Sequence, residues 1–152
     1  MQQLLSEIAD ICELLDYPAD ADENLESEYV RLFINDFDAP LVSLYAASYL
    51  KDVPVQNVLE YLKKLFKFAD LTVSPDARLR DDHIILCFEF LYLLIEAELD
   101  KKIIKNFSNN FIFTFLDVPG KIRDKTDNPY FIDIADKMDN FFTLLEKWLS
   151  EI

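Results

Sequence analysis

The sequence predicts an all-α fold: one domain over residues 1–152, a bundle of about seven helices around a central apolar helix near residues 82–99. Three observations carry that expectation. Apolar residues recur at helical spacing through almost the whole chain, and from Ile84 to Ile95 eleven of twelve positions are apolar. The lone glycine, Gly120, leaves almost no means of making tight hairpins or phosphate-cradling loops, so a Rossmann fold, a P-loop and a β-barrel fit poorly. At 152 residues the chain is long enough to bury roughly two thirds of its unfolded surface without disulfides or metal.

The elements follow in order. Leu4, Ile8, Ile11 and Leu15 mark one face of a helix over residues 2–16, which stops before Pro18. Asp20-Ala21-Asp22-Glu23 opens a second helix that turns Leu25, Tyr29, Leu32 and Phe33 inward and frays near Asn35-Asp36. Pro40 opens a short third helix, Leu41 to Leu50. Asp52-Val53-Pro54 caps a fourth, whose apolar stripe runs from Val55 through Val58, Leu59, Leu62, Leu65 and Phe66 to Ala69, with Lys63, Lys64 and Lys67 outside it. Asp70 to Leu79 is the longest clear loop, and it delivers the chain to the Asp81-Asp82-His83 entry of the central helix. Ile104, Phe107, Phe111, Phe115 and Val118 mark a further helix ending near Pro119-Gly120. Asn128-Pro129 starts the last one, which buries Phe131, Ile134, Met138, Phe141, Leu145, Trp148 and Ile152.

Charge and composition bound the function. A net charge of −14 repels phosphate backbones and anionic membrane surfaces, so nucleic acid is not an expected partner. No terminal apolar run follows basic residues and no apolar stretch reaches the roughly 20 residues that span a bilayer, so a soluble, cytoplasmic protein without stable membrane insertion is expected. Cys12 and Cys87, isolated on predicted helices, read as reduced core residues. No metal or cofactor is expected. Glu89 is followed three residues later by Tyr92, His83 is the only histidine, and zinc ligands are lacking. Nor is catalysis, since adjacent Asp81 and Asp82 project about 100° apart on a helix.

The most informative residues are Asp82, His83 and Glu89. Asp82, Glu89 and Glu96 are spaced by seven, which stacks them in an acidic line on an otherwise apolar helix. A carboxylate buried mid-helix requires a partner side chain, water in a cleft or a ligand's cation, because an unpaired buried charge costs several kcal/mol. Asp81 and Asp82 also suit a helix N-terminus, where carboxylates cap free N–H groups. His83 would titrate near neutrality if unperturbed, and it serves equally as a satisfied core residue.

Several segments taken together resemble the TorD/DmsD/NarJ family of molybdoenzyme maturation chaperones. Glu28-Tyr29-Val30-Arg31-Leu32-Phe33 is similar to that family's aromatic-x-x-Leu-Phe element, Pro40-Leu41-Val42-Ser43-Leu44-Tyr45 to the proline-to-tyrosine element after it, and Asp82-His83 with Glu89-Phe90-Leu91 to its Asp-His loop and following helix. Asn128-Pro129-Tyr130-Phe131 falls where the family begins its last helix. The chain departs from the pattern at Arg78-Leu79-Arg80-Asp81-Asp82-His83, where members often carry Glu-x-x-Asp-His.

The resemblance implies a non-catalytic, cytoplasmic chaperone. It would bind the twin-arginine leader or N-terminal segment of an apo-form molybdoenzyme catalytic subunit and hold it for cofactor insertion, as a monomer or a helix-exchanged dimer. A helical scaffold for an unrelated basic partner is the alternative. The expected peptide site is a groove using Tyr29, Phe33 and Tyr45 near Asp82, His83 and Glu89. The same three aromatics, at helical spacing, also fit a core.

Overall fold

The computed structural model describes residues 1–18, 22–34, 40–70 and 79–151. Among them are seven α-helices and no strand: α1 (Gln2–Leu15), α2 (Glu23–Phe33), α3 (Val55–Phe68), α4 (Ile84–Glu96), α5 (Lys101–Phe107), α6 (Val118–Lys125) and α7 (Pro129–Ser150). The all-α expectation therefore holds. The predicted loop at Asp70–Leu79, the Asp20-Ala21 helix start, the fraying at Asn35-Asp36 and the burial of Ile152 fall wholly or largely outside the described residues.

Helix starts follow the expected cap chemistry. Asp22, Asp100 and Asn128 each accept a backbone N–H of the first turn, from Leu25, Lys102 and Tyr130, all at 2.9 Å. Each cap satisfies one otherwise orphaned donor and contributes about 1 kcal/mol. At α3 the cap position is Pro54, with no side-chain bond from Asp52.

The chain divides into two compact units, Met1–Leu44 with Leu116–Ile152, and Tyr45–Phe115. In the first, α7 packs on α1 and α6. Tyr29, Phe33 and Phe131 pack ring on ring, 5.0 Å between the first two and 5.9 Å between the last two. Tyrosine hydroxyls close the end of α1, which no glycine terminates: Tyr29 donates to the Leu15 carbonyl at 2.8 Å and Tyr130 to that of Leu14 at 3.1 Å. Arg31 donates to the Lys125 carbonyl at 2.5 Å, and Glu28 accepts from both Arg31 and the Thr126 hydroxyl, tying α2 to the end of α6.

In the second unit α4 is buried on nearly every side, as its composition dictates. Phe90 meets Phe66 of α3 and Phe107 of α5, and Phe88 meets Phe115. After α5 the helix widens into a π turn, Ser108–Ile112, and tightens into a 3-10 turn, Phe113–Phe115, against which the Ala46–Tyr49 turn packs.

Three expectations are corrected. Leu41–Leu50 is no α-helix: only Ala46–Tyr49 makes a 3-10 turn, because tertiary partners take its donors, Val42 N–H bonding to the Leu32 carbonyl at 2.8 Å and Ala46 N–H to the Asp82 carbonyl at 2.9 Å. Pro119-Gly120 starts α6 instead of ending a helix, since a proline in the first turn lacks only an N–H that would have no helical partner. Glu89, expected inside the molecule, is exposed; with Leu93 and Glu96 it forms the narrow stripe of α4 that reaches water.

Candidate functional site

Asp82 is the most deeply buried of the expected site residues. It is 0% exposed, and its carboxylate accepts Arg80 Nε at 2.6 Å and Arg80 Nη2 at 2.9 Å, a two-pronged contact, together with Ala47 N–H at 2.9 Å. The carboxylate thus holds the Ala46–Tyr49 turn against the entry of α4. Its cation comes from two residues upstream, so the expectation of an open carboxylate awaiting a client's arginine is corrected at this position.

The acidic line breaks here for a geometric reason. His83 is the N-cap of α4, with extended backbone, and its Nδ1 accepts the Ile85 N–H at 3.1 Å. Asp82 precedes the helix, so the seven-residue repeat that aligns Glu89 with Glu96 does not reach it. An Nδ1 that accepts must carry its proton, when neutral, on Nε2.

Tyr45 completes this node. Its backbone bridges to His83, its ring meets the His83 ring edge to face at 5.1 Å, and the Arg80 guanidinium lies 4.6 Å from the ring centre. Burial raises the Tyr45 hydroxyl's pKa; the nearby Arg80 works against that shift and Asp82 adds to it. The phenol therefore stays a neutral donor at physiological pH. Arg80, 41% exposed, presents the outer face of the node to solvent.

Three of the six expected residues, Tyr45, Asp82 and His83, are therefore brought together. Glu89 shares their unit but projects from the exposed stripe of α4, about 9 Å further along the helix axis than His83. Tyr29 and Phe33 belong to the first unit, each 5% exposed, and their rings pack against Phe131. Their expected place on an open groove is corrected: the Tyr29 hydroxyl is used by the Leu15 carbonyl. Neither Cys12 nor Cys87 is in a disulfide, and burial raises the pKa of Cys87 strongly.

Sequence reasoning missed a hollow of about 540 Å³ in the second unit, lined by residues that include Tyr61, Phe68, Leu93, Ile103 and Phe111 together with Glu96 of the expected acidic line. A signal was present. Tyr61, Leu65 and Phe68 repeat at helical spacing on α3, and two of them lie off the stripe that the core uses. Among the described residues no group of acidic, histidine or cysteine side chains could hold a metal, and no helix is long and apolar enough to cross a membrane.

Comparison with known proteins follows the same lines. The profile of a family described as nitrate reductase delta subunit matches residues 1–117. A selenate reductase assembly chaperone protein from Thauera selenatis is 33% identical over 81 residues, 53% of this chain and 42% of that protein. The match thus spans less than half of that relative's length. No solved structure matches the chain significantly.

Proposed function

The chain belongs to the nitrate reductase delta subunit family, the TorD/DmsD/NarJ group of chaperones that its motifs resemble, and from that premise we propose that residues 1–152 act as one non-catalytic chaperone domain in the assembly of a molybdenum-containing oxidoreductase. Its client is the apo-form catalytic subunit, bound through a twin-arginine leader or N-terminal segment and held in the cytoplasm until cofactor insertion is complete. The observation that carries this reading is the exposed face of α4. Glu89, Leu93 and Glu96 alternate carboxylate and apolar side chains along it, and Leu93 and Glu96 border the hollow of the second unit.

A segment with arginines beside an apolar stretch is complementary to such a face. Charge-assisted contacts give roughly 1.5–3 kcal/mol each, whereas micromolar binding needs about 8 kcal/mol net, so apolar contacts supply the balance. In this reading Tyr45 and Glu89 touch the segment, Asp82 and His83 position Tyr45 and Arg80, and Tyr29 and Phe33 hold the first unit in shape.

Affinity capture from the native cell extract tests it. The expected catch is the catalytic subunit of a molybdoenzyme, lost when that subunit's N-terminal segment is deleted. Capture of an unrelated basic protein alone favours a general helical scaffold, to which the net charge of −14 also lends support.

A further inference from the structure

A smaller, polar cleft opens beside the entry of α4, within the second unit. It measures about 210 Å³, and its charged lining comes from Glu60 and Lys63 of α3 and from Arg80 and Asp81 of the segment that leads into α4. Gln56, Glu60 and Lys63 follow one another at intervals of four and three residues, which sets them along one face of α3.

Its neighbours fix Arg80 in place. The Asp82 carboxylate accepts from Nε at 2.6 Å and from Nη2 at 2.9 Å, and the Tyr45 ring centre lies 4.6 Å from the guanidinium carbon. Asp82 is itself buried and Tyr45 half-buried, so the guanidinium plane is set before any ligand arrives and little side-chain freedom remains to be lost on binding. The donors left over, on Nη1 and on the outer side of Nη2, have no acceptor among the described residues. Arg80 thus offers the cleft a fixed edge of N–H groups.

The other charges of the lining are unpaired. Among the described residues no ion pair reaches Glu60, Lys63 or Asp81, although two cations and two carboxylates border one small space. That balance selects the charge of a ligand. A phosphate dianion would meet Arg80 and Lys63 but also both carboxylates, on a chain of net charge −14. A lone cation would meet the two basic side chains in turn. A ligand with one carboxylate and one cation sets each against its opposite. Size narrows the choice further, because the cleft has room for roughly seven waters and falls below the range of about 300–1,000 Å³ usual for drug-sized ligands and cofactors.

We propose that this cleft binds a zwitterionic group, its carboxylate held by the outer edge of Arg80 and by Lys63, its cation by Glu60 and Asp81. A free amino acid has this chemistry, and so do an acidic and a basic side chain adjacent in a peptide. The proposal draws nothing from the chaperone reading, since it rests on the charges of the cleft alone.

Titration of the isotope-labelled full chain, followed by nuclear magnetic resonance, tests it, because the Arg80 Nε–H held by Asp82 reports directly on this guanidinium. The probes are a capped Asp-Arg dipeptide, free alanine, acetate, propylammonium and inorganic phosphate. At least one of the two zwitterions shifts that resonance with a Kd of about 1 mM at low salt, about tenfold tighter than the three simple ions. Salt at about 300 mM weakens it about fivefold or more. Binding of the dipeptide alone assigns the site to a protein segment, and binding of alanine alone to a free amino acid; either sustains the proposal.

Lys63→Gln and Glu60→Gln lie at exposed positions and should leave circular dichroism unchanged. Each weakens the zwitterion about threefold or more, and Glu60→Gln also tightens acetate about twofold, because a repelling carboxylate is gone. Acetate or phosphate binding as tightly as the zwitterions overturns the proposal in favour of a plain anion site, and propylammonium doing so in favour of a plain cation site. No shift of the Arg80 Nε–H up to about 50 mM of either zwitterion, or shifts that neither variant alters, overturns it outright.

Discussion

Arg80 closes on Asp82 through nitrogen–oxygen contacts of 2.6 and 2.9 Å, so the buried carboxylate at the entry of α4 finds its cation two residues away in its own chain. With Ala46 and Ala47 N–H groups also bonded to Asp82, this residue joins the Ala46–Tyr49 turn to the start of the central helix.

Removing that carboxylate should be costly. Asp82→Ala is expected to destabilise the chain by about 3 kcal/mol, because Arg80 and Ala47 N–H lose their acceptor together. Asp82→Asn should cost less, since an amide oxygen still accepts from Ala47. Urea denaturation measures both, and unchanged midpoints would show that the pair contributes nothing net.

Tyr29→Phe should lower stability by about 1 kcal/mol through the lost bond to the Leu15 carbonyl. Its ring packing remains, so peptide affinity should be unaffected. A large loss of affinity at constant stability would return Tyr29 to the binding surface.

Glu28 supplies a pH dependence. The hydrogen bond from Arg31 holds its carboxyl below the ordinary 4.5; partial burial opposes this and the Thr126 hydroxyl adds to the lowering. A depressed carboxylate contributes stability that is present above its unfolded value and lost as pH falls through the folded one. Glu28→Gln should therefore destabilise by up to about 1 kcal/mol at neutral pH, solvent screening included, and the difference should be lost at an acid pH below the lowered folded value. Denaturation curves of both proteins at the two pH values check the sign.

The two thiols should react at different rates. Cys87 is buried and its pKa is raised, first by burial and then by the charges of Asp82 and Asp81, so it should resist a thiol reagent until the chain unfolds. Cys12 is half-buried and should react first. Mass spectrometry of briefly labelled native protein identifies which residue is modified.

Much of this architecture is legible in the sequence, because helix periodicity and cap residues are local. The apolar stripes of α1, α3 and α7 and the caps at Asp22 and Asn128 are examples. What local pattern misses is tertiary. Leu41–Leu50 reads as helix until Leu32 and Asp82 take its backbone donors at Val42, Ala46 and Ala47. Asp82 shares a seven-residue spacing with Glu89, yet it stands outside the helix that would make the spacing meaningful. Within the candidate site, the Tyr45, Asp82 and His83 cluster follows from segments thirty-five residues apart that only folding joins, while the Phe68 and Leu93 lip shows itself as apolar side chains left over from the core stripes.

Isothermal titration of the full chain with a synthetic peptide of the molybdoenzyme subunit's N-terminal segment tests the central claim most directly. The account predicts one peptide per chain with Kd of about micromolar, weakened about tenfold or more when the peptide's apolar stretch is replaced by serine and glycine. Absence of binding at about 100 μM peptide, or equal affinity for the apolar-depleted version, would contradict it.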